Sequence, residues 1–122
     1  MGTRRNIKGE AMNRPVCIIG TRNFGKTGKL IELAEKHFCY LVVRDWRTAC
    51  RIEEQIRKEG RKMPFPLTYN EFIEGKFYGK GINCFIIDDV ETLLRYLARG
   101  RKVRGFSVDA GSVEIINLDD ER

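Results

Sequence analysis

The stretch Val16-Cys-Ile-Ile-Gly-Thr-Arg-Asn-Phe-Gly-Lys-Thr27 decides the fold, because it joins a short apolar run to a loop that begins and ends with glycine. A proline precedes the apolar run and a glycine ends it, which predicts a buried strand over Val16–Ile19. Beyond the loop, apolar residues recur at helical spacing and predict an amphipathic helix from Lys26 to about His37. A strand, a loop and a helix are therefore expected in succession.

The loop has the pattern G-x-x-x-x-G-K-T. Such glycines let backbone amides turn inward around a triphosphate, and the N-terminus of the next helix adds its partial positive charge. Lys26 is expected to contact the outer phosphates and the Thr27 hydroxyl to bind Mg²⁺. The alternative is a glycine-rich turn without a ligand, but the strand before the loop and the helix after it favour phosphate binding. The residues expected to bind the nucleotide are Gly20, Thr21, Arg22, Asn23, Phe24, Gly25, Lys26, Thr27 and Gly28.

A second apolar run, Cys84–Ile87, ends in the acidic pair Asp88 and Asp89. Asp88 is expected to hold Mg²⁺ through its water shell, so the predicted metal-site residues are Thr27 and Asp88. Asp89 is expected to orient or deprotonate the attacking water, so the predicted catalytic residues are Lys26 and Asp89. Strands often end in Asp, and the alternative is that Asp88 or Asp89 only caps the following helix.

The rest of the chain alternates between apolar runs and helical patterns. The spacing of Ala49, Ile52 and Ile56 predicts a second helix that Gly60 ends. Apolar residues from Val90 to Leu97 predict a third long helix that ends near Gly100. Because apolar strands separated by crossover helices form covered parallel sheets, we predict an α/β fold with a mostly parallel five-stranded sheet between two helix layers. The other predicted strands are Tyr40–Val43, Cys84–Ile87, Val103–Val108 and Val113–Leu118.

Two prolines, Pro64 and Pro66, interrupt this alternation. Directly after them, Thr68 and Glu71 have the spacing of a capping box, in which each side chain bonds the backbone N–H of the other residue. We therefore predict a short helix that starts at Thr68.

Composition excludes several classes of protein. The chain has 122 residues with 23 Lys and Arg against 17 Asp and Glu, a net charge of +6, and no apolar run near the roughly 18 residues of a membrane span. We predict one nucleotide-binding domain over residues 15–122 behind a basic, flexible extension of residues 1–14. The extension lacks the apolar core of a signal peptide, so a cytoplasmic location without membrane contact is expected. No two of the four cysteines have metal-site spacing, and reduced structural thiols are expected.

With both motifs in place, the chain resembles the P-loop NTPases of the RecA-like, additional-strand division over Pro15 to about Val108. Within that division it is most similar to the first motor domain of superfamily-one helicases. Val42–Ala49 occupies the place of a nucleic-acid-contacting element there, and Thr68–Phe72 looks like the family's Thr-aromatic-x-x-Phe segment. In size the chain is similar to small ATPases carried by phages and mobile elements.

The resemblance implies Mg²⁺-dependent ATP binding, and ATP is expected over GTP because the N-K-x-D signature of GTPases is missing. Slow hydrolysis is expected for two reasons. The acidic strand ends Asp-Asp where the family usually has Asp-Glu, and no second motor domain is expected to supply an arginine, which leaves an oligomeric neighbour or a partner protein to do so. Ser107 has the position of the family's polar sensor. The candidate arginines are Arg44, Arg47, Arg95 and Arg99.

Two basic stretches make nucleic acid an expected partner. Residues 95–104 carry five cations, and Lys76-Phe-Tyr-Gly-Lys80 interleaves cations with aromatic rings, a composition suited to stacking on unpaired bases. The alternative is that these cations favour a helix C-terminus and that Phe77 or Tyr78 packs under a loop. Two other functions stay open. One is an ATP-binding regulatory or interaction module with little hydrolysis, and the other is a small P-loop kinase with residues 101–104 as its lid.

Overall fold

The computed structural model describes residues 14–20, 25–77, 81–82 and 84–120, which contain five strands and four α-helices. They divide into two units: the described residues up to Lys26 and from Phe106 onward form one, and Thr27–Gly105 forms the other. The elements are β1 (Val16–Ile19), α1 (Lys26–His37), β2 (Tyr40–Val43), α2 (Trp46–Lys58), β3 (Leu67–Thr68), α3 (Tyr69–Ile73), β4 (Phe85–Ile87), α4 (Val90–Leu97), β5 (Glu114–Asn117) and a 3-10 turn (Leu118–Asp120).

The first unit contains a two-stranded parallel sheet of β1 and β5. Val16 lies opposite Glu114 and Ile19 opposite Asn117. The bounds of β1 agree with the sequence prediction, but the strand is only partly buried, and Ile19 is 43% exposed. A two-stranded sheet brings few side chains to cover an apolar run, which explains why this strand is less buried than its composition predicts.

The second unit is built on a three-stranded parallel sheet in the order β3-β2-β4. All four residues of the central strand β2 are buried, so both of its faces are covered, as expected for a parallel strand without polar residues. Tyr40 lies opposite Phe85 in β4, and Val43 lies opposite Thr68 in β3.

The core of this unit follows from the alternation of side chains along β2. Tyr40 and Val42 lie in one cluster with Leu67, Tyr69 and Leu93, against which further aromatic and apolar side chains pack. Leu41 and Val43 point to the opposite face and are fully buried. Helices α1 and α2 contribute further buried apolar residues, namely Leu30, Ile31, Ala34, Ala49, Ile52 and Ile56.

The capping box is confirmed. The Thr68 hydroxyl accepts a hydrogen bond from the Glu71 N–H at 3.1 Å, and the Glu71 carboxylate accepts one from the Thr68 N–H at 2.9 Å. The two residues before α3, Leu67 and Thr68, also form the short strand β3. This strand was not predicted, because Pro64 and Pro66 directly before it argue against regular structure. Helix α2, predicted from the spacing of Ala49, Ile52 and Ile56, begins at Trp46, since Asp45 caps it through the Thr48 N–H.

The predicted strand Val103–Val108 is wrong, since these described residues form no strand and are exposed. In a strand, one face would carry Val103, Gly105 and Ser107, and the other would carry Arg104 beside two apolar residues. Neither face is apolar throughout, so the segment has no surface to bury in a sheet. Ser107 therefore does not end a strand, which removes the structural basis for the sensor position.

The α/β class and the parallel pairing of strands are confirmed, but the single five-stranded sheet is not what the described residues form. Their strands belong to sheets of two and three strands in separate units. No helix in the described part of the chain is long and apolar enough to cross a membrane. Apart from Arg14, the predicted N-terminal extension lies outside the described residues.

Candidate functional site

The candidate phosphate loop joins β1 to α1, as predicted. At its two ends, Gly20 and Lys26 are linked by a hydrogen bond of 3.1 Å, which the Lys26 Nζ donates to the Gly20 carbonyl oxygen. The lysine side chain thus reaches back along the loop rather than into solvent. Four of the residues expected to bind phosphate lie outside the described residues: Thr21, Arg22, Asn23 and Phe24.

Gly25 has a positive φ of 79°. Glycine adopts this left-handed conformation at little cost, whereas most other residues adopt it only at a cost in free energy. A Cβ at this position would lie 3.8 Å from the Leu118 Cδ1, an ordinary contact. The backbone conformation, and not lack of space, therefore requires glycine immediately before Lys26. The conformation of the loop backbone thus explains why the second glycine of the motif, Gly25, is a glycine.

The turn that follows β5 packs against this loop. A Cβ at Gly20 would lie 3.4 Å from the Leu118 Cβ and 3.8 Å from a carboxylate oxygen of Asp119. The Asp119 N–H donates to the Asn117 side chain at 3.0 Å, which holds the turn in place. The contact of Leu118 and Asp119 with Gly20 was not predicted from the sequence. The parallel register, which sets Ile19 opposite Asn117, is the signal that places Leu118 beside Gly20.

The first turn of α1 suits an anion. It contains no acidic residue, so no side chain within the turn itself offsets the partial positive charge of the helix N-terminus. Thr27 is partly buried in this turn, and Gly28 is exposed with open space around it. Amides at a helix start, an ammonium group and a hydroxyl are the donors that a polyphosphate requires, so the described part of the loop fits such a ligand.

Asp88 lies at the carboxyl end of β4, in the second unit. Its N–H donates to the Val42 carbonyl oxygen at 2.9 Å, which extends the parallel ladder one residue past the strand. Among the described residues, no three Asp, Glu, His or Cys side chains are grouped to hold a metal ion. A carboxylate such as that of Asp88 is a kind of ligand that Mg²⁺ takes. Mg²⁺ usually keeps several waters and takes its other ligands from substrate phosphates.

Asp89 caps helix α4, so the capping alternative raised from the sequence is confirmed for this residue. Its carboxylate accepts hydrogen bonds from the Thr92 hydroxyl at 2.8 Å and the Thr92 N–H at 3.4 Å. Asp89 also has a positive φ of 66°, a conformation that Asp and Asn tolerate better than most residues. Its role as a catalytic base stays a prediction.

Tyr69 was not among the predicted site residues, yet it contacts the acidic pair. Its hydroxyl shares its one proton between two backbone carbonyl oxygens, those of Asp88 at 2.7 Å and Asp89 at 3.0 Å. The side chain is only 1% exposed. Burial raises the pKa of the Tyr69 hydroxyl, and the charges of Asp89 and Asp88 raise it further, so the group stays a proton donor at neutral pH. The sequence feature that pointed to Tyr69 is its position as the aromatic residue of the Thr-aromatic-x-x-Phe segment, Thr68–Phe72.

The basic Lys76–Lys80 stretch is only partly described. Phe77 packs edge-on against Phe85, with ring centroids 4.8 Å apart, beside the core cluster of the second unit. The alternative of packing is therefore confirmed for this ring. Lys76 lies 3.8 Å from a Glu74 carboxylate oxygen. Tyr78, Gly79 and Lys80 lie outside the described residues.

Two exposed aromatic rings stack beyond the carboxyl end of β2. Trp46, the only tryptophan, and Phe65 lie with ring centroids 5.5 Å apart and planes 25° apart, and they are 59% and 42% exposed. Arg44 and Arg47 flank Trp46 in the chain, and both are exposed. All five cations of the 95–104 cluster are exposed as well, namely Arg95, Arg99, Arg101, Lys102 and Arg104.

Comparison with protein-family models, with curated proteins and with solved structures finds no match to this chain. What the chain binds is therefore inferred from its own residues and their geometry.

Proposed function

We propose that this chain binds Mg²⁺–ATP and hydrolyses it slowly. The observation that carries the proposal is the Lys26–Gly20 hydrogen bond, which links the two ends of a complete G-x-x-x-x-G-K-T motif at the start of α1. The left-handed backbone of Gly25 immediately before Lys26 supports it. The assignment to the RecA-like P-loop NTPases, with its three-layer arrangement, is part of this proposal and rests on the order of the motifs.

The roles follow from the chemistry of each group. Lys26 neutralises charge on the outer phosphates, while the Thr27 hydroxyl and the Asp88 carboxylate hold Mg²⁺, which supplies further charge neutralisation. The water oxygen attacks the γ-phosphorus and forms the new P–O bond as the bond to the β–γ bridging oxygen breaks. ADP and inorganic phosphate leave, and the protons of the water pass to the phosphate and to solvent. Asp89 accepts the hydrogen bond of that water.

The direct test is a calorimetric titration of Mg²⁺–ATP and Mg²⁺–GTP into the natural chain and a Lys26→Ala variant. Loss of a charge-assisted hydrogen bond, worth about 1.5–3 kcal/mol, should weaken ATP binding by roughly 10- to 100-fold. The matched control is Lys29→Ala. Lys29 lies one helical turn further along α1, where it pairs with Glu32 at 3.8 Å, and its loss should leave affinity unchanged. Equal affinity of the natural chain and Lys26→Ala would contradict the proposal.

A second candidate is an ATP-binding regulatory module with little hydrolysis. The observation that favours it is the capping of α4 by Asp89, which gives this carboxylate a structural role of its own. Hydrolysis measured with and without single-stranded DNA separates the two candidates. Strong stimulation supports the ATPase, whereas binding without turnover supports the module. Among the described residues, no observation favours the kinase alternative.

Single-stranded nucleic acid is the partner we propose for the ATPase. The exposed Trp46–Phe65 stack beside Arg44 and Arg47 supports this, because aromatic faces next to cations bind unpaired bases along a phosphate backbone. A neighbouring subunit or partner protein that supplies an arginine is proposed as well, since such a residue accelerates hydrolysis by about 10³ to 10⁵. Turnover per chain should then rise with protein concentration.

A further inference from the structure

The hydroxyl of Tyr69 is the feature of the second unit that the roles above leave unused. It is buried, and its two acceptors are the consecutive carbonyl oxygens of Asp88 and Asp89, at 2.7 and 3.0 Å. Tyr69 is the first residue of α3, directly after the capping residue Thr68, so the capping box holds its backbone.

We propose that Tyr69 is a positioning residue, whose hydroxyl sets the orientation of the Asp88 carboxylate toward a divalent cation and of Asp89 toward water. This inference rests on the proposed function. Tyr69 acts through the main chain, because its hydroxyl bonds the two carbonyl oxygens. Its partners are the carbonyl groups of the two residues. Because the direction of a carbonyl group is set by the ψ angle of its residue, a hydrogen bond that fixes the carbonyl also fixes ψ.

The backbone at this point needs such a constraint. Asp89 has φ and ψ of 66° and 70°, a conformation that costs most residues about 1 kcal/mol or more. The Asp88 N–H is bonded to Val42 in the sheet, while the Asp89 carbonyl also accepts from the first turn of α4. Tyr69 is thus the side chain that bridges the end of the strand and the beginning of the helix, across the change of backbone direction.

Packing alone does not account for the hydroxyl. The Tyr69 ring lies edge-on to Tyr96 at 5.8 Å and belongs to the core cluster, and a phenylalanine ring would fill the same space. Supporting groups that orient a metal ligand typically change metal affinity or activity by about 10- to 100-fold when they are removed. The same size of effect is expected from loss of this one hydroxyl.

The test compares Tyr69→Phe with Tyr96→Phe. The control also loses one hydroxyl from a tyrosine ring, but that hydroxyl bonds the exposed Asn70 side chain at 3.1 Å. For Tyr69→Phe, kcat should fall and the Mg²⁺ concentration for half-maximal rate should rise, each by about 10-fold or more. Binding of ATP without metal should stay unchanged. Tyr96→Phe should match the natural chain in all three.

A second readout does not depend on turnover. Mn²⁺ added to the nucleotide-free, ¹⁵N-labelled chain should broaden the amide signals of Asp88 and Asp89, and higher Mn²⁺ concentrations should be needed in Tyr69→Phe. A purely structural role would lower the melting temperature without moving either metal midpoint. Unchanged kcat and unchanged metal midpoints in Tyr69→Phe would overturn the inference.

The two proposals fail in different ways. If the natural chain binds ATP and Tyr69→Phe behaves like it, only the role of Tyr69 is wrong. If the natural chain binds no ATP, the proposed function is wrong, and the Mn²⁺ titration still decides the inference. Weaker Mn²⁺ broadening in the variant than in the natural chain would support Tyr69 as a positioning residue, and equal or absent broadening would overturn it.

Discussion

The ammonium group of Lys26 donates a hydrogen bond to the carbonyl oxygen of Gly20, 3.1 Å away, and so joins the end of the candidate phosphate loop to its beginning. A phosphate oxygen would compete for this donor with an advantage, because a charged acceptor makes a bond about twice as strong as a neutral one. The same lysine can thus hold the loop in the free chain and bind the ligand.

Replacement of Gly25 by alanine should weaken nucleotide binding through the backbone. The left-handed φ of 79° would cost an alanine about 1–2 kcal/mol, which the loop can avoid only by changing conformation. The matched control is Gly60→Ala, because Gly60 also has a positive φ, 68°, with open space around it, at the end of α2. Both variants should be less stable in denaturant unfolding, but only Gly25→Ala should lose ATP affinity. Equal affinity in the two variants would show that the conformation of Gly25 does not matter for binding.

Replacement of Asp89 by asparagine should separate its two roles. Asparagine caps helices as well as aspartate and tolerates the left-handed region, so thermal unfolding should change little. Loss of the charge should lower kcat about 100-fold or more if Asp89 is the base. Asp89→Ala should in addition lower the unfolding free energy by about 1 kcal/mol, since it removes the cap. Hydrolysis by Asp89→Asn at the natural rate would mean that Asp89 is a cap alone.

Loss of the capping box should destabilise the second unit. Thr68→Ala removes the acceptor of the Glu71 N–H and should lower the unfolding free energy by about 1 kcal/mol, measured by urea unfolding. Thr68→Ser keeps a hydroxyl in the same place and is the control. Because Tyr69 begins the helix that the box starts, Thr68→Ala should also raise the Mg²⁺ requirement. An unchanged unfolding midpoint in Thr68→Ala would contradict the stabilising role of the box.

Acid should weaken the fold through Glu35. Its carboxylate accepts from the Lys62 N–H and from Arg61, and these bonds hold the pKa of Glu35 below its ordinary value of 4.5. In acid the unfolded chain therefore binds more protons than the folded chain. The stabilisation is complete above the unfolded pKa of 4.5, and it is lost as the pH falls through the lower pKa that Glu35 has in the folded chain. Glu35→Gln should be less stable than the natural chain at pH 7, and the difference in urea midpoint should shrink at pH 3. An equal difference at both pH values would exclude this linkage.

Local patterns predicted much of the scaffold. The bounds of β1, α1 and β2 follow from short apolar runs and one helical period, and the capping box at Thr68 follows from a spacing of three residues. Such features depend on neighbouring residues alone. The strand predicted at Val103–Val108 failed because an apolar count ignores which face each side chain would occupy. The apolar spacing of α2 does not define where the helix starts, because the start depends on the cap at Asp45.

The amino-acid sequence alone determined the phosphate-loop motif, the acidic end of β4 and the order of most strands and helices, since each depends on residues close together in the chain. Only the tertiary structure decided that β1 pairs with β5, which brings Leu118 onto Gly20, and that Tyr69 bonds a residue 19 positions away. Such contacts depend on which surfaces can be buried together and on the register of distant strands. No local pattern encodes that choice.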